Sequence, residues 1–129
     1  MNPLRFGTTL ITCASQNADL AERAVEKRVP LNARRFASDG DSFTRVTLQH
    51  HDPKQEAAWA RAVVADLQDA LADQYGRGAQ TSLPADRLTA SKALQAIRRN
   101  DGWVVEIQSD NPLLQNARLG GQRVAPLEA

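Results

Sequence analysis

Residues 49–59 read QHHDPKQEAAW, and the fold turns on where the pattern changes inside them. Over 43–51 side chains alternate: Val46, Leu48 and His50 point one way, Arg45, Thr47, Gln49 and His51 the other. Beyond this point the period lengthens. Ala60, Val63, Val64, Leu67, Leu71 and Tyr75 form one apolar stripe at helical spacing, with Trp59 at its edge. Asp52 suits the N-cap, because its carboxylate can accept from amides the first turn leaves unpaired. Pro53 suits the first helical position, where no amide proton is needed. A strand therefore gives way to a helix at Asp52, and the helix is predicted to end at Gly76.

Moving toward the N-terminus, Asp39-Gly40 marks a hairpin, since Gly reaches the positive φ that tight turns require. Its arms are LNARRFAS and SFTRVTLQH. Before it, SQNADLAERAVEKRV (15–29) carries a helical stripe of Leu20, Ala21, Ala24, Val25 and Val29, with Ser15 or Asn17 as cap and Pro30 as stop. PLRFGTTLITC (3–13) is rich in β-branched and apolar residues on both faces, which predicts a central strand.

Moving toward the C-terminus, GRGAQTS reads as a loop and 82–100 as a second helical stretch, whole or divided near Thr89–Ser91. GWVVEIQSD (102–110) alternates as a strand with Trp103, Val105 and Ile107 inward and Val104, Glu106 and Gln108 outward or partly covered. Residues 110–129 add an edge strand or form an irregular tail along the surface. The whole, 1–129, reads as a single α+β domain. Its order is β-α-β-β-(αα)-β, the ferredoxin-like βαββαβ order with a doubled second helix, and it predicts an antiparallel sheet with helices on one face. The alternative is a winged helix-turn-helix in the C-terminal half. It takes 54–75, 83–88 and 90–100 as three helices, with a wing formed by 103–109 and an arm near 117–125.

Bulk properties narrow the functions. Sixteen basic residues face fifteen acidic ones, a formal charge of +1, so no global field steers the chain to nucleic acid or membrane. Local patches remain: 23–45 carries a net +3, 54–75 a net −2 and 83–100 a net +3. Arginine outnumbers lysine, as in products of GC-rich genomes; the same bias suits phosphate recognition by planar guanidinium forks. The single cysteine, Cys13, excludes an internal disulfide and a thiolate-rich zinc site and fits a cytoplasmic, reducing compartment. No apolar run approaches the ~20 residues that span a bilayer. Phosphate-binding glycine loops, nucleophile elbows and dinucleotide fingerprints are missing.

Four groups are candidates for function. The histidine pair His50 and His51 lies on a strand, so the rings are expected to diverge to opposite faces. That geometry argues against metal chelation and against a shared catalytic role. Arg34, Arg35 and Arg45 form a basic patch across the hairpin. Arg87, Lys92, Arg98 and Arg99 decorate the second helical stretch, where they could meet phosphates or base edges, or simply complement a helix dipole. Asp66, Asp69 and Asp73 share one helix face, suited to solvation or to a basic partner. An RNA-reading sheet would need exposed aromatics, for which only Phe36 and Phe43 offer themselves.

The reading that follows is a small, non-enzymatic binding protein without cofactor, metal or membrane association. Its first form is a nucleic-acid-associated regulatory or accessory factor, with a homodimer as the expected assembly. Its second is a protein-binding inhibitor, of the immunity or anti-defence kind encoded by bacteria or phage, that occludes a partner's site through the aspartate face.

Overall fold

The computed structural model describes residues 7–39, 43–75 and 104–127. The strand of 3–13 is β1 (Gly7–Ala14). A 3-10 turn at Ser15–Asn17 leads into helix α1 (Ala18–Glu26). Asn17 takes the N-cap position without a side-chain capping bond, and it is fully buried. Strands β2 (Arg34–Asp39) and β3 (Phe43–His50) are the arms of the expected hairpin and pair antiparallel from Arg34–Leu48 to Asp39–Phe43. Helix α2 runs from Pro53 to Tyr75. Its cap is as expected: Lys54 N donates to Asp52 Oδ1 at 3.0 Å. Strand β4 is Val104–Ser109, and two short strands, β5 (Arg118–Leu119) and β6 (Gln122–Arg123), form a hairpin before β7 (Ala125–Pro126).

The main sheet has the order β2-β3-β1-β4-β7. β1 is central, antiparallel to both β3 and β4. The expectation of a purely antiparallel sheet needs correction, because β7 joins β4 in parallel. The chain leaves β4, passes through a 3-10 turn and the β5–β6 hairpin, and returns in the original direction, so the tail can only add a parallel edge. Pro126, which lacks an amide donor, is tolerated there because an edge strand leaves one side of its ladder unpaired. The strand expected as one arm of a wing, β4, is built into this sheet. The helices expected over 83–100 lie outside the described residues.

Pleating sorts the sheet into two faces. Ile11 and Cys13 of β1, Val46 and Leu48 of β3, and Val104 and Ile107 of β4 meet Ala21, Ala24 and Val25 of α1 and Ala60, Val63, Val64, Leu67 and Leu71 of α2 in one buried core. Val104 corrects the outward assignment made from strict alternation. Register slips between Thr12 and Cys13, so Cys13 pairs with Val104 while Thr12 pairs with Glu106. The extra residue of this bulge inverts parity, and Val104 turns into the core. Gly120 and Gly121 both take positive φ in the β5–β6 turn. At Gly120 an added Cβ would come within 2.6 Å of the Gln68 side chain of α2, so any larger residue there would have to displace Gln68.

Candidate functional site

The β3–α2 junction builds a groove of about 590 Å3, lined by Pro30, Asn32 and Ala33 on one side and by Gln49, His50, His51, Asp52, Gln55 and Trp59 on the other. Contrary to the expected divergence, the two imidazoles stack: their centroids are 4.2 Å apart with 29° between planes. Alternation holds only within a ladder. His50 is the last paired residue of β3, opposite Gly7, and His51 lies in the bend beyond it. The Asp52 amide donates to His50 Nδ1 at 2.9 Å, which folds the chain back and brings His51 over the neighbouring ring. The same bond fixes the tautomer of a neutral His50, leaving Nε2–H as its donor. Trp59, at the edge of the α2 stripe, packs partly on the core and presents itself perpendicular to His50 at 5.0 Å. Its place at the edge of the α2 stripe was the sequence signal for this role.

The arginine patch divides. On β2, Arg34 shares parity with Phe36, which packs on the core, and Arg34 Nη1 donates to the Val29 carbonyl at 2.7 Å, tying down the end of α1. Arg35 is exposed on the other face. Arg45 stands on that same face, half-buried with its Nε out of solvent: it pairs with Ala37, while Arg35 pairs with Thr47, so the two residues are diagonal neighbours. This outer face continues through the half-buried Thr8 and Leu10 and the buried Thr12 of β1 to the half-buried Glu106 and Gln108 of β4. Phe43 belongs to it and is half-buried; Phe36 does not. Arg87, Lys92, Arg98 and Arg99 lie outside the described residues.

On α2, Asp66 already has an intramolecular partner, Arg28, whose Nε lies 2.8 Å from its carboxylate. The Arg28 hydrogen bond holds the Asp66 carboxyl below the usual carboxylate range. Asp69 and Asp73 are exposed. Cys13 is buried, and burial pushes its thiol up to about 12, so it is an inert core group. Among the described residues no three histidine, cysteine, aspartate or glutamate side chains lie close enough to hold a metal ion. No helix among them is long and apolar enough to cross a membrane.

A second polar cluster, invisible in the sequence, lies beneath Gly7. Glu56, one turn into α2, is fully buried. Asn111 Nδ2 donates to its Oε2 at 2.6 Å and to the Pro53 carbonyl at 2.8 Å, while Asn111 Oδ1 accepts from the Leu113 amide. Asn111 N donates to Ser109 Oγ. Ser109 Oγ donates to the Thr8 carbonyl at 2.9 Å, so in its 2.9 Å contact with Thr9 the Thr9 hydroxyl must be the donor. Both hydroxyl protons are thus committed, and Glu56 Oε1 is buried without a hydrogen bond. Burial raises the Glu56 carboxyl above its ordinary range, with the Asp110 charge adding to it; the nearby Thr9 hydroxyl and the Asn111 amide pull the other way. A side chain at position 7 would press on Asn111 Nδ2 and Glu56 at 3.0 Å, so glycine is what lets β1 close over the knot.

Comparison with known protein families, with curated proteins and with solved structures finds no match.

Proposed function

We propose that β2-β3-β1-β4 is a ferredoxin-like split βαβ sheet extended by β7, and that the chain is a nucleic-acid-associated binding protein working through the sheet face opposite its helices. One observation carries the reading: Arg35 and Arg45 stand as diagonal neighbours on a face that also carries Thr8, Thr47, Gln49 and Gln108, beside Leu10, Phe43 and Glu106. Such a face offers charge and hydrogen bonds to a phosphate backbone. Its large apolar side chains, Leu10 and Phe43, are half-buried, whereas a protein interface places aromatic and aliphatic surface at its centre. The occluding-inhibitor reading is weaker, because Asp66 is bound to Arg28 and the aspartate face keeps only Asp69 and Asp73 exposed.

Counterion release supplies the test. Binding of a fluorescent single-stranded oligonucleotide should weaken as salt rises, with a log–log slope of about −0.7 per phosphate neutralised. Arg35→Ala should lower that slope by about one contact. Binding that ignores salt, or that Arg35→Ala and Arg45→Ala together leave intact, would remove this function.

A further inference from the structure

The geometry points to the β3–α2 groove as a pocket for a single unpaired nucleobase, stacked on the outer face of His51. This rests on the nucleic-acid reading above and names what that surface holds at its end. His51 is exposed and stacks one face on His50, while His50 is steadied by the Trp59 edge and by the Asp52 amide. A flat π ligand placed on His51 continues a stack that the protein has already begun, so it does not have to organise the rings itself. Stacking of bases on aromatic or imidazole side chains is tolerant of base identity, because every base has a π face.

The rest of the lining favours a base over another flat ligand. Gln49, Gln55 and Asn32 are exposed amides in the groove wall. Each offers both donors and an acceptor, which matches the mixed edge of a nucleobase. The one acidic residue of the lining, Asp52, is engaged at Oδ1 by the Lys54 amide. Gln49, which is exposed, continues the outer face of β3 directly from Thr47, the partner of Arg35, so a strand whose phosphates meet Arg35 reaches the groove within the next residue step. A volume of about 590 Å3 lies within the range of small-ligand sites.

The chain has only two histidines, so their ring C–H signals in proton NMR report the site without labelling. Adenosine at millimolar concentration should shift both sets, and ribose should not. A uridine hexanucleotide should bind more tightly than an abasic hexamer of equal charge. His51→Ala should cost about five- to a hundredfold in hexanucleotide affinity, and His51→Phe, which keeps a stacking surface, should recover most of it. The salt slope should be the same in all three proteins. The pocket is overturned if the abasic hexamer binds as well as the normal one, or if neither adenosine nor the hexanucleotide moves the histidine signals. Oligonucleotide binding that persists with unmoved signals sinks the pocket alone. Adenosine shifts without any salt-dependent oligonucleotide binding sink the sheet-face reading and uphold the pocket. A peptide carrying an exposed tryptophan that shifts the signals more than adenosine also overturns the assignment to a base.

Discussion

Two polar clusters grow from the first two turns of α2, one closed and one open. Glu56 enters the knot of Thr9, Ser109 and Asn111, where almost every donor and acceptor is matched inside the protein. Gln55 and Trp59, its near neighbours on the helix, line a groove whose amides and outer imidazole face solvent. Burial explains the difference. A polar group removed from water costs stability unless a partner replaces the lost hydrogen bonds, so the closed cluster matches its groups internally, with Glu56 Oε1 left over. The open cluster keeps water as its partner and retains capacity for a ligand.

The contrast predicts opposite responses to truncation. Asn111→Ala removes the bonds to Pro53, Glu56 and Leu113 together and leaves their polar atoms unmatched. Urea denaturation should show a loss of roughly 3 kcal/mol, since each unsatisfied buried group costs about 1–3 kcal/mol. His51→Ala, at an exposed bend, should stay within about 0.5 kcal/mol of the parent. Similar losses for the two variants would break the distinction between closed and open clusters.

The same contrast explains how much of the molecule was legible. The open cluster is local in sequence: most of its residues fall within 49–59, and the change of period there reveals the junction. What alternation could not give was the stacking of the imidazoles, because the ladder stops at His50 and a backbone bond to Asp52 redirects the chain. The closed cluster joins residues about a hundred positions apart, such as Thr9 and Ser109. Its only local trace is an acidic residue, Glu56, on the apolar side of α2, and that trace also fits an ordinary first-turn glutamate stabilised by the helix dipole. The bulge that turns Val104 inward leaves no signature in a run of two valines. Arg34 and Arg35 could be separated by parity, but the Val29 carbonyl that holds Arg34 could not be foreseen.

A subtler way to sharpen the comparison is pH. The folded state raises the Glu56 carboxyl above its ordinary value of 4.5, and burial is the main cause. A raised carboxyl binds its proton more tightly in the folded than in the unfolded chain. Its contribution to stability is therefore complete below the ordinary glutamate range and is lost as pH rises through the folded value. Relative to Glu56→Gln, which stays neutral throughout, the parent should gain stability on acidification across that window. A parent and variant with parallel stability profiles would show that Glu56 ionises in place and that the hydroxyl chain is arranged differently.

The smallest effect is expected at the Arg28–Asp66 pair. It joins the end of α1 to the middle of α2 at 2.8 Å, yet both side chains reach solvent. Here the carboxyl is depressed by the Arg28 hydrogen bond, so the sign reverses: any contribution exists above the ordinary value of 3.8 and fades as pH falls through the folded one. Water and salt screen such a pair, and ordering two flexible side chains opposes the attraction. Asp66→Asn should leave the denaturation midpoint at neutral pH nearly unchanged, and 1 M salt should erase what difference there is. A loss approaching that of Asn111→Ala would mean that α1 is clamped to α2 by charge rather than by Ala21, Ala24 and Val25 in the core. The division between a satisfied interior and a solvated surface would then have to be redrawn to include this pair.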